Sequence, residues 1–505
     1  MEKRLILTIA LSLLVLLSWS ALVSKVYHID NKEVTTQEIV ALKTPAEQIP
    51  PSNITQEPNP SSLFKYGQDK FEITFIEPLA AIKEVTFKMH QGYKFPLKYG
   101  FMLDDKALSF KTGRITADSV TFLYSDQNKK ITKKYIFPNS NYSILLELTI
   151  QNLSTAPITL NLPLVLGVLD FASNNIQSRY QDVAVATKDK TQHFNARKNL
   201  EFKNVKFLGL RDRYFCAIVE PELDSYAGLI KKMNPQESEI SLISPELVIP
   251  PGQQIGKKFH IYLGPQELKL ISSIKSDWSA AINYGTFDFI SQILLQSLEF
   301  FYRLVHNWGW AIVILSLVVY LLLYPLSLKQ MRSMKEMQVL QPHIEEIRKA
   351  YKDDAQKQNK EIMELYRKHK VNPLGGCLPL LLQMPIFFAL YQALMRSVAL
   401  KGANFLWIKD LSEPDRLFAL PFFLPVLGNE INILPLVMTI GMFIQQKISM
   451  VSTSSGSAEQ QKLMMVIMPL MFGLIFYHMP SGLVLYWFIN SALMLLNQFR
   501  ISRTK

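Results

Sequence analysis

Apolar and polar residues alternate along this chain in four distinct rhythms, and each rhythm predicts a different kind of element. From Leu5 to Val23 there is a nineteen-residue apolar run that follows Glu2, Lys3 and Arg4. At 1.5 Å per residue such a run covers roughly 28 Å, close to the hydrocarbon thickness of a bilayer. Its length, and Trp19 near its end, predict an uncleaved anchor over residues 1–25 rather than a cleaved signal peptide. Residues 26–62 are polar, with prolines at 45, 50, 51, 58 and 60, and are expected to form a tether. Period two then takes over. Phe71, Ile73 and Phe75 alternate with Glu72 and Thr74, and the series Val120, Phe122, Tyr124 and Tyr142, Ile144, Leu146, Leu148 repeat the pattern between Asn, Asp, Gly and Pro breaks. This predicts an all-β domain over 63–280, a large two-sheet sandwich with its own core. After Gly264 and Pro265 the pattern turns helical through Lys275.

Over 281–303 the period lengthens. Phe287, Ile290, Ile293, Leu294, Leu298 and Phe301 recur at three and four residues, with Ser291, Gln292, Gln296 and Glu299 between them. An amphipathic helix lying in the outer membrane interface is expected, with packing on the β domain as the alternative. Five apolar spans follow, over 304–328, 373–396, 431–449, 462–479 and 480–499. The first opens with Trp308-Gly309-Trp310, and the second contains Pro379, Gln383 and Pro385. Between the spans lie a helical hairpin over 329–372 with arms Met331–Lys349 and Ala355–Lys370, a loop over 397–430 and a loop over 450–461, and a basic tail over 500–505 follows. Spans near the short end of the usual range imply a locally thinned bilayer. The chain is therefore expected to be a polytopic α-helical membrane protein with six transmembrane helices, an N-terminal anchor plus a five-helix core.

Charge orients this arrangement. The 505 residues carry 54 Lys and Arg against 42 Asp and Glu. Residues 26–300 hold 30 basic and 29 acidic residues, so the excess lies around the later spans, and this speaks against a nucleic-acid partner. Residues 329–370 have 11 basic and 7 acidic residues, 396–430 have four of each, and the tail adds Arg500, Arg503 and Lys505. Six spans with both termini inside put each basic region on the cytoplasmic side and the β domain outside.

Candidate chemistry narrows the function classes. Cys216 and Cys377 form no CxxC pair and fall in different compartments, so neither a disulfide scaffold nor a metal site is expected. His90, His193 and His260 are expected at surface or turn positions, and Asp212, between Arg211 and Arg213, is expected to contribute surface charge beside a strand. There is no convincing carboxylate pair for glycosidase work and no phosphate-binding loop, so neither an enzyme nor a cofactor is expected. Fifteen of the 19 methionines lie at or after Met331. They suit either surfaces that accept varied apolar partners or plain filling of membrane helices. Ser316, Gln383, Gln445, Gln446, Asn490 and Asn497 fall in or near spans and should face the bundle interior or a wet cavity. No acid or base lies deep in the five core spans and no inverted repeat is visible, which weighs against the alternative of a transporter or channel.

Several motifs carry a resemblance. Trp308-Gly309-Trp310, Tyr324-Pro325-Leu326, Ser333-Met334, the run Asn372 to Pro379, Gln383-Met384-Pro385 and the run Pro480 to Trp487 resemble the YidC membrane protein insertases of Gram-negative bacteria, nearly throughout the chain. The resemblance implies five core spans around a water-filled groove that is open to cytoplasm and lipid and closed on the periplasmic side, with a periplasmic β-supersandwich. It implies insertion and chaperoning of newly made membrane proteins in the bacterial inner membrane, alone or with the SecYEG translocon, with ribosomes and membrane lipids as further partners. The family's substrate-contacting positions map to Ser316 and Trp487, and its groove arginine maps to Tyr320, which donates one hydrogen bond but brings no lasting charge. Gln383 and Tyr486 join them as groove candidates from their place in the spans.

Overall fold

The computed structural model describes residues 62–503 apart from 105–107, 139–140, 172–179, 223–225, 353, 370, 372–377, 425–426 and 451–457. The expected anchor, almost all of the tether, and Cys377 lie outside the described residues.

The period-two segments form antiparallel strands. In Ser143–Asn152 every second side chain is buried, so Ile144, Leu146, Leu148 and Ile150 point into the core while Glu147 and Thr149 point away. A four-stranded sheet is made by Leu63–Gly67, Phe71–Ile76, Ala81–Phe87 and Tyr93–Gly100 in sequence order. A larger sheet of 13 strands has Phe215–Pro221, Gln254–Pro265 and Ser143–Asn152 at its centre. The two sheets share one apolar core, in which Phe75 meets Phe122 at 5.4 Å and Phe87 stacks on Phe215 at 4.0 Å. A two-sheet sandwich is therefore present. Aromatic pairs of this kind add to the burial energy that holds the sheets together.

After the last strand, helix α1 (Leu268–Ile274) and a 3-10 turn (Ser276–Ala281) close the sandwich with Trp278, whose indole donates to Glu220. The amphipathic helix α2 (Asp288–Val305) begins later than the period suggested. Gly285, at φ 111°, adopts a conformation that side chains disfavour, and the turn is held by Gly285 N to Asn283 Oδ1 and Tyr284 N to Asp288 Oδ1. His306 ends α2 in the left-handed region.

Helix α3 (Trp308–Val339) runs through Pro325 for 32 residues. The first arm of the expected hairpin is thus corrected: residues 331–339 continue α3, and a separate helix α4 (Gln341–Ala350) starts with Pro342 in its first turn. Helix α5 (Ala355–Lys368) is capped by Asp354, which accepts from the backbone N–H groups of Gln356 and Lys357. Met337, Leu340, Ile344, Tyr366 and Val371 give this cap a small core of its own.

Helices α6 (Leu378–Arg396), α7 (Ile433–Met450), α8 (Ala458–Tyr477) and α9 (Ser481–Arg503) complete the bundle. Among the described residues, Trp308–Met337 and Ser481–Arg500 are long and apolar enough to cross a membrane, and Ile433–Ile448 and Val466–Tyr477 are shorter apolar stretches. Gly473 of α8 leaves room for Thr439 of α7, since a Cβ there would lie 2.3 Å from its hydroxyl. The segment expected as a plain loop over 397–430 contains a β-hairpin, Phe418–Leu424 with Gly428–Ile431.

Candidate functional site

Where α3, α6 and α9 meet, neutral polar groups interrupt an apolar cluster. Ser316 is fully buried and donates to the carbonyl of Ile312 in its own helix at 2.7 Å. Tyr320 stands one turn further along the same face and donates across to the carbonyl of Leu493 in α9 at 3.3 Å. On α9, Tyr486, Asn490, Leu493 and Asn497 follow at four, three and four residues and so share one face. Asn490 donates to the carbonyl of Tyr486 at 2.9 Å.

Among the described residues, three buried polar atoms in this region lack a well-formed hydrogen bond to protein. They are the Tyr486 hydroxyl, the Trp487 indole nitrogen and the Asn497 amide nitrogen, all buried. The Tyr486 phenol lies beside the side chains of Gln383 and Asn490. Leaving such an atom desolvated and unpaired costs about 1–3 kcal/mol, so their ordinary partner in a folded protein is water or a bound polar group. Trp487 faces a different neighbourhood. Its ring is packed by Phe387 of α6 at 5.0 Å and by Phe476 and Phe472 of α8 at 5.3 and 6.0 Å. The five predicted residues therefore divide: Ser316 and Tyr320 lie on α3, Gln383 and Tyr486 lie together, and Trp487 anchors an aromatic cluster between α9, α6 and α8.

The outer end of the bundle is tied shut by the chain between α6 and α7. Asp415 accepts from Ile433 N, Leu434 N and the Trp407 indole, which caps α7. Glu413 and Leu411 carbonyls accept from Ser481 N and Gly482 N at 2.8 and 2.9 Å, which caps α9. Asn432 donates to the carbonyl of Tyr477 at 2.8 Å and joins α8 to the same knot. The Trp308-Gly309-Trp310 motif fits here. A Cβ on Gly309 would fall 2.0 Å from the Phe405 ring, Trp310 packs edge-on against that ring, and Trp308 stacks on Tyr302 of α2 at 4.1 Å.

The β domain grips this end through residues expected at the surface. Arg211, Asp212 and Arg213 are all buried, which corrects the expectation for Asp212. Arg213 donates to the carbonyls of Met395 and Ser412 at 2.8 and 2.9 Å and faces Glu413 at 3.3 Å. Arg211 pairs with Asp182, which also faces Arg396 at 3.4 Å. Burial alone would raise the Asp182 carboxyl, but Arg211, His193 and Arg396 hold it well below the usual range. Burial pushes Asp212 up to about 6, although it accepts from Phe215 N, Tyr214 N and the Tyr93 hydroxyl. His193 also differs from its expected surface place: it is part-buried on the strand Thr191–Phe194, with Nδ1 3.9 Å from Asp182. The sequence signal for this junction was a charged triplet set between two apolar strands, Leu200–Arg211 and Phe215–Pro221.

Residues 300–505 match the family described as the 60Kd inner membrane protein, and residues 96–297 match the YidC periplasmic domain. A protein of Pelobacter propionicus named membrane protein insertase YidC is 35% identical over 422 residues, which is 82% of this chain and 76% of that protein. A protein of Geotalea daltonii with the same name is 32% identical over 426 residues, 82% of this chain and 77% of its own length. A solved structure described as an active YidC insertase with the first transmembrane domain resolved aligns with 88% of this chain and 93% of its own, at 21% identity and a TM-score of 0.41.

Proposed function

This chain belongs to the YidC family of membrane protein insertases, and we propose that it inserts membrane proteins by passing their short polar ends through a hydrated slot between α3, α6 and α9. It is an inner-membrane protein with a periplasmic domain, and it is not an enzyme. The supporting observation is the set of buried polar side chains, Ser316, Tyr320, Tyr486, Asn490 and Asn497, inside an apolar bundle, where atoms of Tyr486, Trp487 and Asn497 make no well-formed hydrogen bond to protein. In our reading an anchor and five core spans cross the membrane, both termini face the cytoplasm, and the α4–α5 cap meets incoming chains and ribosomes.

A substrate's apolar segment slides along the lipid-facing side of α8 and α9. Its polar end enters the slot, where Ser316, Tyr320, Gln383 and Tyr486 with their water replace part of its hydration. Trp487 guides the apolar part beside it. Burial of about 20 apolar residues in lipid releases far more than a short polar tail costs to move, so the substrate supplies the drive. Tyr320 replaces fixed charge with a hydroxyl, so the slot works by hydration rather than by attraction of acidic segments. The SecYEG translocon is a further partner in this reading, for substrates with longer polar parts.

Photocrosslinkers placed at Ser316 and Trp487 test the reading on a stalled nascent membrane protein. Both positions should capture the chain. Capture only from the β domain would contradict the slot.

A further inference from the structure

A cavity of about 290 Å³ lies between the end of the β domain and the amphipathic helix α2, apart from the polar slot. That volume is at the lower end for a small-molecule site. Helix α2 presents three stripes. Ser291, Leu294 and Leu298 are buried, and Ser291 donates to the carbonyl of Ala389 in α6 at 2.8 Å. Gln292, Gln296, Glu299 and Arg303 line the cavity. Phe289, Ile293, Phe300 and Leu304 are exposed, Phe289 to 77%, and form the stripe that faces acyl chains when α2 lies in the interface. That placement of α2 would set the cavity at headgroup level.

Its polar groups include the acceptors Gln266 and Glu267 and the cations Lys269 and Arg303, of which Lys269 is held by Glu299. Gln266 is only 4% exposed. Its amide nitrogen donates to the carbonyls of Asp212 and Phe215, while its Oε1 is buried without a partner. The neighbouring Glu267 has no ion pair among the described residues and is crowded by Glu299, which itself pairs with Lys269. Together these acceptors call for a donor that carries positive charge. Arg303 lines the same cavity and also has no ion pair among the described residues, so it offers a place for an anion.

We propose that this cavity holds the headgroup of an aminophospholipid of the periplasmic leaflet, with its primary ammonium on Gln266 Oε1 and the Glu267 carboxylate and its phosphate at Arg303. A quaternary ammonium has no N–H to donate and leaves Gln266 unpaired, so phosphatidylcholine is a poor substitute. The inference rests on the membrane placement of α2 given above and is separate from the slot.

The test is lipid retention by the full chain, purified from vesicles that hold phosphatidylethanolamine and phosphatidylcholine in equal amounts with identical acyl chains, and read by native mass spectrometry. Phosphatidylethanolamine should be retained roughly tenfold over phosphatidylcholine, the ratio expected from one charge-assisted hydrogen bond. Glu267→Ala, at an exposed position, removes one of the two acceptors for the primary ammonium and should lower that ratio, and Arg303→Gln should lower retention of both lipids. Equal retention by the unaltered protein, or an unchanged ratio in Glu267→Ala, overturns the proposal. Substrate insertion by Glu267→Ala should stay at the unaltered level. Reduced selectivity with intact insertion is therefore a property of the cavity, whereas lost crosslinks from Ser316 with intact lipid selectivity bear on the slot alone.

Discussion

Arg213 and Tyr486 are both almost wholly buried, yet their surroundings treat them in opposite ways. Arg213 spends its donors on the carbonyls of Met395 and Ser412 and on Glu413, and its neighbour Asp212 accepts three hydrogen bonds. Tyr486 keeps a buried hydroxyl with no well-formed hydrogen bond although Gln383 and Asn490 lie beside it, and Trp487 and Asn497 keep buried N–H groups in the same state. The junction is not perfectly matched, since Arg396 Nη1 lacks a partner and the hydroxyls of Tyr214 and Ser412 have only each other, but its charges face opposite charges or carbonyls. The helical centre carries neutral polarity that its own protein does not satisfy. Buried charge demands fixed partners and so fixes one geometry. Neutral groups left open cost less and remain available to water or to a passing peptide. One region is built to hold still and the other to exchange partners.

The largest effect should come from breaking the fixed side. Arg213→Met strands the buried carbonyls of Met395 and Ser412, while Glu413 keeps Arg416 beside it, and should cost about 3–5 kcal/mol, mostly from those two carbonyls. Thermal unfolding of the purified protein should then show the β domain and the helices separating into two transitions. A single transition at the unaltered temperature would mean that the junction does not join the two parts.

Within the β domain the same logic gives a pH effect. Burial, with Asp104 nearby, pushes the Glu239 carboxyl up to about 7 from an ordinary value of 4.5. Because the folded form holds this proton more tightly than the unfolded form, the Glu239 contribution to stability is greatest below about pH 4.5 and is lost as pH rises through 7, by at most on the order of 3 kcal/mol. Glu239→Gln should flatten that fall in melts of the full chain followed by circular dichroism. A slope that persists in the variant assigns it to other groups.

The open side should respond in the reverse manner. Tyr486→Phe deletes a hydroxyl whose neighbours Gln383 and Asn490 give it no well-formed hydrogen bond, so stability should change by less than about 1 kcal/mol. Insertion of a small test substrate should nevertheless slow by about two- to tenfold, a barrier change of about 0.4–1.4 kcal/mol. Strong destabilisation with unaltered insertion would make Tyr486 an ordinary packing residue.

Much of this arrangement could be read along the chain. Ile144, Leu146 and Leu148 announce a half-buried strand because period two leaves no other face for them. Ser316, Gln383, Asn490 and Asn497 stand out in spans because polar groups there are costly. The start of α2 was less legible, since the expected span opens at residue 281 while Gly285 and its turn hold the helix back to Asp288. The Arg211 to Arg213 triplet was misread because its composition is that of a surface turn, while the partners that bury it, Asp182, Met395 and Ser412, are distant in sequence. The hairpin at Phe418–Leu424 was missed for a related reason: its prolines and short length look like a loop until the pairing with Gly428–Ile431 is seen. The roles of Ser316 and Trp487 came from family resemblance, not from periodicity.

Water access to Ser316 is the most direct test of the central claim. In unsealed native membranes of a Cys377→Ser, Ser316→Cys variant, a water-soluble maleimide should label position 316. Cys216, fully buried in the packed β domain, should stay unreacted as an internal comparison. If the cysteine at 316 proves as inert as Cys216, the space between α3, α6 and α9 admits no water, and the hydrated slot is contradicted.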